Sequence, residues 1–380
     1  MSRGSIRQDR QRNTWFFVID VQEPNARRRQ IKRRGFRTKR DAEDALQELL
    51  LDHNARRQAG SSRVTLQQFL EHDWLPMCTP RLRPATLHGY VKLIDNHINP
   101  VLGHIKLKDL TRHQIEKFYA DRFERGGPSG KGLSPKTVRN IHGVLSKALN
   151  DAVGWDMLAS NPAVRAVLPR QQKREMKAWS EEEAASFLRW ARKTDRYWMW
   201  RLLITTGIRR GELCGLRWSD VNLVKGTISI KATRVVAEGV IEGPPKSDAG
   251  QRTINLDTET IAALKEHYEF IAHLAAGLGH AINPDNYLLI GPDLQPINPE
   301  TVSRWWRNDV RASGCPAIQM HGARHTAATI MLRHKVPLKV ASERLGHADV
   351  GVTMRVYQHV NESDDRAAAN ALAQALDGVA

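Results

Sequence analysis

The sequence predicts a multidomain chain: a small α+β amino-terminal sheet domain, an all-α bundle, and a mixed α/β domain that is mainly helical. Three observations predict it. At 380 residues the chain exceeds a single domain of roughly 100 to 200 residues. Its apolar pattern changes along the way, from strand-like runs near the start, to helical spacing through the middle, to both kinds beyond Lys173. A run of small residues, Ala59-Gly60-Ser61-Ser62, reads as a linker. The boundaries expected are 1–60, 61–170 and 171–380.

The first part is the most basic. It holds 15 Lys or Arg against 8 Asp or Glu, and no acid interrupts Ala26 to Arg40. Trp15 to Val21 is rich in aromatic and β-branched residues and reads as a strand. Arg28 to Phe36 would pair with it across a turn at Glu23-Pro24-Asn25. Thr38 and Asp41, three apart, suit a capping box, followed by a helix with Ala42, Ala45, Leu46, Leu49 and Leu50 on its apolar face. Such a module can lay a β-ribbon in a DNA groove, with Arg28, Arg33, Arg34 and Lys39 as candidate contacts. A solvated basic face is the plainer reading of the same residues.

The second part reads as almost wholly helical. Helices are expected from Thr65, over Ala85–Ile98, over Thr111–Arg125 with Thr111 and Gln114 as a cap pair, and from Ser134 through Ala152. Gly126-Gly127-Pro128-Ser129-Gly130 separates the last two. Arg83, Lys136 and Arg139, with Arg81, Lys92, Arg112 and Lys131, are basic residues that suit a DNA clamp, and equally a solvated helix surface.

In the third part Ser180-Glu181-Glu182-Glu183 caps a helix. Thr227–Ile230 and Arg252–Leu256 read as short strands, Glu259–Ala276 and Thr301–Ala312 as helices, and Arg366–Ala380 as an alanine-rich helix that needs a surface to cover. Here three motifs follow one another. Thr206-Gly207-Ile208-Arg209-Arg210-Gly211-Glu212 sets Glu212 three residues after Arg209, where it can hold the guanidinium. His321-Gly322-Ala323-Arg324 puts His321 and Arg324 on one helical face. Leu345-Gly346-His347 is followed, ten residues on, by Tyr357.

Taken in order, these elements resemble the tyrosine recombinase family, the integrases of phages and integrative elements. The resemblance extends to Leu82-Arg83-Pro84-Ala85-Thr86-Leu87, to His97-Ile98-Asn99-Pro100-Val101-Leu102-Gly103, and to Asn161-Pro162, which is similar to the close of the family's helical core-binding domain. The basic amino-terminal sheet is similar to the arm-site domain of two-headed integrases such as that of phage lambda. Two details depart from the common pattern: Gly322-Ala323 stands where the family often has Asp-Leu, and many members place the tyrosine nine residues after the histidine.

The resemblance implies a role for each position. Arg209 and Arg324 clamp the scissile phosphate, with His321 between them and His347 bonded to a phosphate oxygen. Glu212 orients Arg209. Lys246, in Pro245-Lys246-Ser247-Asp248, resembles the lysine of the family's β-hairpin, which protonates the leaving 5′ oxygen. Tyr357 is the nucleophile and forms a 3′-phosphotyrosine link, so strands exchange without metal, nucleotide or other cofactor. The implied partners are double-stranded attachment sites, three further copies in a homotetramer, and a host DNA-bending protein and an excision factor.

Composition is consistent with that reading and narrows the others. Lys and Arg exceed Asp and Glu by 58 to 41, a formal charge of +17, which suits a polyanionic partner. No apolar run approaches the ~18 residues of a membrane span, so a cytoplasmic, nucleoid-associated protein of a bacterial host is expected. Cys78, Cys214 and Cys315 are scattered, without the spacing of a disulfide framework or zinc site. His321 and His325, four apart, lack the glutamate and carboxylates of a metal centre. Two other functions remain open. A type IB-like topoisomerase shares the phosphotyrosine chemistry, and a non-catalytic DNA-binding regulator shares the charge.

Overall fold

The computed structural model describes residues 5–9, 14–21, 29–49, 63–127, 130–171, 177–347, 349 and 351. The chain divides into two compact units, Met1–Gln172 and Lys173–Ala380.

The first unit contains a three-stranded antiparallel sheet of β1 (Ser5–Asp9), β2 (Thr14–Val21) and β3 (Arg29–Phe36). Period-two alternation turns Phe17 and Ile19 inward, where both are buried against Leu46 of α1 (39–49), with Ile6, Ile31, Phe36, Ala45 and Leu49 around them. The cap expected for α1 is present: the Thr38 amide donates to the Asp41 carboxylate and the Asp41 amide to the Thr38 hydroxyl, both at 3.1 Å. Gly35, at φ +97°, is skipped where Trp15 faces Phe36 and Phe16 faces Arg34. A left-handed bulge of this kind suits glycine. Strand β1 escapes sequence reading because Ser-Ile-Arg-Gln-Asp offers one apolar residue. Arg28, the turn at Glu23-Pro24-Asn25, and Leu50 lie outside the described residues.

The bundle follows. It comprises α2 (Leu66–Gln68), α3 (Leu75–Cys78), α4 (Pro84–Leu93), α5 (Asn99–Leu102), α6 (Arg112–Arg125) and α7 (Pro135–Gly154). Thr65 with Gln68 and Thr111 with Gln114 form capping boxes, and Ser134 caps α7. The continuous helices expected from Thr65 and over Ala85–Ile98 are each widened by a π-turn, Phe69–Trp74 between α2 and α3 and Ile94–Ile98 between α4 and α5. Each π-turn runs up to a proline, Pro76 or Pro100, which has no N–H to donate and crowds the carbonyl four residues back. Phe69, Trp74, Phe118, Tyr119, Leu145 and Leu149 lie at the centre of an apolar core separate from that of the sheet.

In the second unit, α8 (Glu181–Ala191), α9 (Tyr197–Thr206) and α10 (Arg210–Gly215) precede two small sheets. One is antiparallel, in the order β4 (Val221–Asn222), β5 (Thr227–Ile230), β8 (Arg252–Asn255). The other is a hairpin of β6 (Thr233–Val236) and β7 (Val240–Gly243). Helices α11 (Thr258–Gly277), α12 (Pro299–Ala312), α13 (Met320–Arg333) and α14 (Leu338–Leu345) complete the unit. Ser180 caps α8 as expected, with Glu183 as its reciprocal partner. Trp179, Phe187 and Trp200 pack around Trp306, whose ring centre lies 5.2–5.3 Å from theirs. Cys78 and Cys214 are buried, Cys315 is half-buried, and all three are free thiols. Tyr357 and the helix expected over Arg366–Ala380 lie outside the described residues.

Candidate active site

Helix α9 stops at Gly207, which takes the left-handed conformation at φ +65°. A side chain there would strain the backbone and bring its Cβ to 2.5 Å from Leu345 and 3.2 Å from Ala327. Two residues later Arg209 stands in extended conformation at the N-cap of α10. Its amide donates to Glu212 at 3.0 Å and its guanidinium to the same carboxylate at 2.7 Å. The other face of the guanidinium donates to the Gly346 carbonyl at 2.9 Å.

Glu212 is 1% exposed, and a buried carboxylate must be paired. It has two cationic partners, Arg209 and Arg252, the latter at 3.0 Å. Burial alone would raise its carboxyl, but the Arg252 hydrogen bond and charge, joined by those of Arg209, hold it below the ordinary range. It therefore stays ionised and fixes Arg209.

Arg324 lies in the first turns of α13, one turn beyond His321. It is 3% exposed, donates from Nη1 to the Gly207 carbonyl at 2.9 Å, and has no partner for Nη2 among the described residues. Burial, then the neighbouring Arg209 charge, lowers it to about 9, so it is still a cation at neutral pH. A buried guanidinium with a spare N–H costs free energy until an anion meets it. His325 likewise has a buried Nε2 without a partner among the described residues, and its ring sits edge-on to His321 at 4.9 Å.

The imidazoles respond to this concentration of positive charge. His347 is lowered to about 4 by burial, then by Arg324 and Arg209, and His325 to about 4 by burial, then by His321 and Arg324. His321 is lowered by burial and by the two arginines. All three are neutral at pH 7.

His347 follows Gly346, the left-handed C-cap of α14 at φ +68°. A Cβ on Gly346 would sit 2.7 Å from the Arg252 guanidinium and 2.9 Å from the Ala249 carbonyl. The Ala249 loop is the one that carries Lys246. That lysine is exposed and stands in the connection from β7 to β8, not in the β6–β7 turn. That connection is part of the longer one that joins β5 to its antiparallel partner β8, with the β6–β7 hairpin inserted in it, so the lysine lies between two strands that pair with each other.

Arg209, Glu212, His321, Arg324 and His347 thus form one cluster, with the Lys246 loop beside it, while Tyr357 lies outside the described residues. Sequence reasoning missed Arg252, His325 and the two carbonyls that hold the arginines. Of the basic residues proposed to meet DNA, Arg33, Arg34, Lys39, Arg83, Lys136 and Arg139 are all exposed. Lys39 pairs with Glu43 at 3.5 Å and Arg139 donates to the Pro169 carbonyl at 3.3 Å. Trp218 and Asp220 pack and cap locally: Asp220 accepts from the Arg217 amide at 3.1 Å and pairs with Lys231 at 2.8 Å.

Comparison with known proteins gives a consistent result. Residues 177–364 match the sequence model of the phage integrase family, residues 65–121 that of the phage integrase N-terminal SAM-like domain, and residues 5–52 that of an arm DNA-binding domain. A tyrosine recombinase XerC-like protein of Caldanaerobacter subterraneus subsp. tengcongensis is 27% identical over 345 residues, covering 85% of this chain and 86% of that protein. An integrase of Streptomyces ambofaciens is 24% identical over 367 residues, with 93% and 92% covered. Among solved structures, the Tn1549 transposon integrase in complex with circular intermediate DNA has a similar fold, at TM-score 0.65 and 18% identity over 80% of this chain and 98% of that one. A lambda integrase dimer bound to a core site matches at TM-score 0.59 and 19% identity, over 89% and 91%.

Proposed function

We propose a residue-level mechanism for this chain, which belongs to the phage integrase family, is a tyrosine recombinase of the lambda-integrase type, and carries out site-specific recombination of DNA in integration and excision. The observation that carries the mechanism is the Nη2 of buried Arg324, which has no partner among the described residues, beside the Glu212-held guanidinium of Arg209.

Two fixed cations in a partly dehydrated site suit a phosphodiester whose phosphorus gains negative charge as a fifth ligand arrives. The neutral imidazoles of His321 and His347 donate to the non-bridging oxygens. Tyr357, within the span of the family match, attacks the phosphorus. A bond forms from its oxygen to phosphorus, and the bond to the 5′ oxygen breaks. The phenol proton passes to the His321 imidazole, and Lys246 protonates the leaving 5′ oxygen. Because the phosphotyrosine retains the ester energy, the 5′ hydroxyl of a second strand reverses the step without ATP.

The guanidiniums supply the charge that a divalent ion would otherwise supply, so the scheme is metal-free. Binding is assigned to three domains: a sheet at 1–60 for arm sites, using Arg28, Arg33, Arg34 and Lys39; a bundle at 61–170 for core sites, using Arg83, Lys136 and Arg139; and the catalytic domain at 171–380. The working form is a homotetramer on double-stranded DNA, assisted by a host bending protein and an excision factor, in the bacterial cytoplasm at the nucleoid. Among the described residues no helix is long and apolar enough to cross a membrane.

Nicked duplexes copied from the ends of the DNA element that carries the gene test this scheme. A covalent protein–DNA adduct is expected, abolished by Tyr357→Phe and undiminished in EDTA. No adduct with the wild-type protein favours the regulator, loss in EDTA removes the metal-free scheme, and equal strand passage on DNA without paired sites favours the topoisomerase.

A further inference from the structure

Arg252 joins the three chain segments that carry the site. It opens β8, where pairing with Ile230 fixes its backbone, and its side chain is 7% exposed. Each of its nitrogens donates to a different segment. Nε donates to the Arg344 carbonyl at 2.7 Å, Nη1 to the Gly250 carbonyl at 2.9 Å, and Nη2 to Glu212 at 3.0 Å.

The three acceptors have separate consequences. The Arg344 carbonyl lies in the last turn of α14, without an intrahelical partner, two residues before Gly346, whose own carbonyl holds Arg209. Gly250 ends the loop that carries Lys246. Glu212 sets Arg209. The contact has no slack, since a Cβ on Gly346 would meet both Nη1 and the Ala249 carbonyl inside 3.0 Å. A planar fork reaches three acceptors at once, which a single ammonium at its place cannot match.

We propose that Arg252 is a positioning residue for strand cleavage, holding the Lys246 loop and the Gly346-His347 turn in register with Arg209. The proposal rests on the reading of Lys246 as the acid that protonates the leaving oxygen. Removing the fork should then impair proton delivery more than DNA binding.

A nicked duplex in which sulfur replaces the bridging 5′ oxygen separates these effects, because a thiolate leaves without protonation. On the ordinary duplex Arg252→Met is expected to form adduct about 100-fold more slowly than wild type, a general-acid-sized effect, with affinity for intact duplex within about 3-fold. On the sulfur duplex the gap should narrow by at least about tenfold, as it should for Lys246→Ala. Arg252→Lys, which keeps a charge beside Glu212, should show a smaller defect with the same narrowing, and it decides the matter if Arg252→Met does not fold. If Lys246→Ala is restored by sulfur and neither Arg252 variant is, the coupling fails while the acid assignment stands. If Lys246→Ala itself gains nothing from sulfur, the acid assignment fails and the coupling with it. A wild-type rate for Arg252→Met also overturns the proposal.

Discussion

At the scale of single residues, the candidate site gathers cationic and imidazole side chains whose partners among the described residues are incomplete. Arg324 keeps a buried N–H without an acceptor among the described residues, and three imidazoles beside it stay neutral. Neutrality has a measurable cost. In the unfolded chain a histidine titrates near 6.5, whereas His325 in the folded chain titrates at about 4. Between those values the unfolded state binds more protons, so stability is complete above about pH 6.5 and falls as the pH drops toward 4. Urea midpoints at pH 7 and pH 5 should therefore differ, and His325→Phe should shrink the difference; an unchanged difference would remove His325 from the account. Arg209, Glu212, His321, Arg324 and His347 were all legible in the sequence, because each stands in a short motif whose spacing survives folding. Arg252 was not, since its acceptors lie 2, 40 and 92 positions away along the chain and two of them are main-chain carbonyls that no side-chain pattern announces.

At the scale of elements, the junctions matter more than the helices they join. Gly207 ends α9, lends its carbonyl to Arg324, and leaves room for Leu345 of α14. Gly207→Ala should cost about 1–2 kcal/mol from left-handed strain alone, and more from the Leu345 contact. Chemical denaturation checks it, and a variant as stable as wild type would contradict the geometry. Helix starts were readable wherever a capping pair announced them, at Thr38, Thr111 and Ser180, because the cap is a local hydrogen bond. The hairpin β6–β7 and the two-residue β4 were not, being too short for alternation to register. The π-turns likewise left no trace in apolar spacing, although the prolines that accompany them were in plain view.

At the scale of the whole molecule, the surplus of 17 positive charges sets the terms of association with DNA. If six or more phosphates are neutralised, the logarithm of affinity should fall with that of salt at a slope near −5 or steeper, since each contributes roughly −0.9. Filter binding between 50 and 200 mM salt, a range over which such a protein loses on the order of a thousandfold, measures it. A shallow slope would mean that most of the basic residues face only solvent. The three-part organisation could be read because apolar periodicity changes with each part. The two compact units divide after Gln172, where the apolar pattern of the sequence also changes, whereas the grouping of sheet and bundle in one unit is not announced by that pattern.

The placement of the thiols bears on how this chain can be watched in motion. Burial pushes the Cys214 thiol up to about 12, and Cys78 is buried and raised by the same cause, so neither presents a thiolate to an alkylating dye. Maleimide chemistry on the native protein should therefore find Cys315 first, and its replacement by serine would leave a background quiet enough for a fluorophore installed at any chosen exposed position.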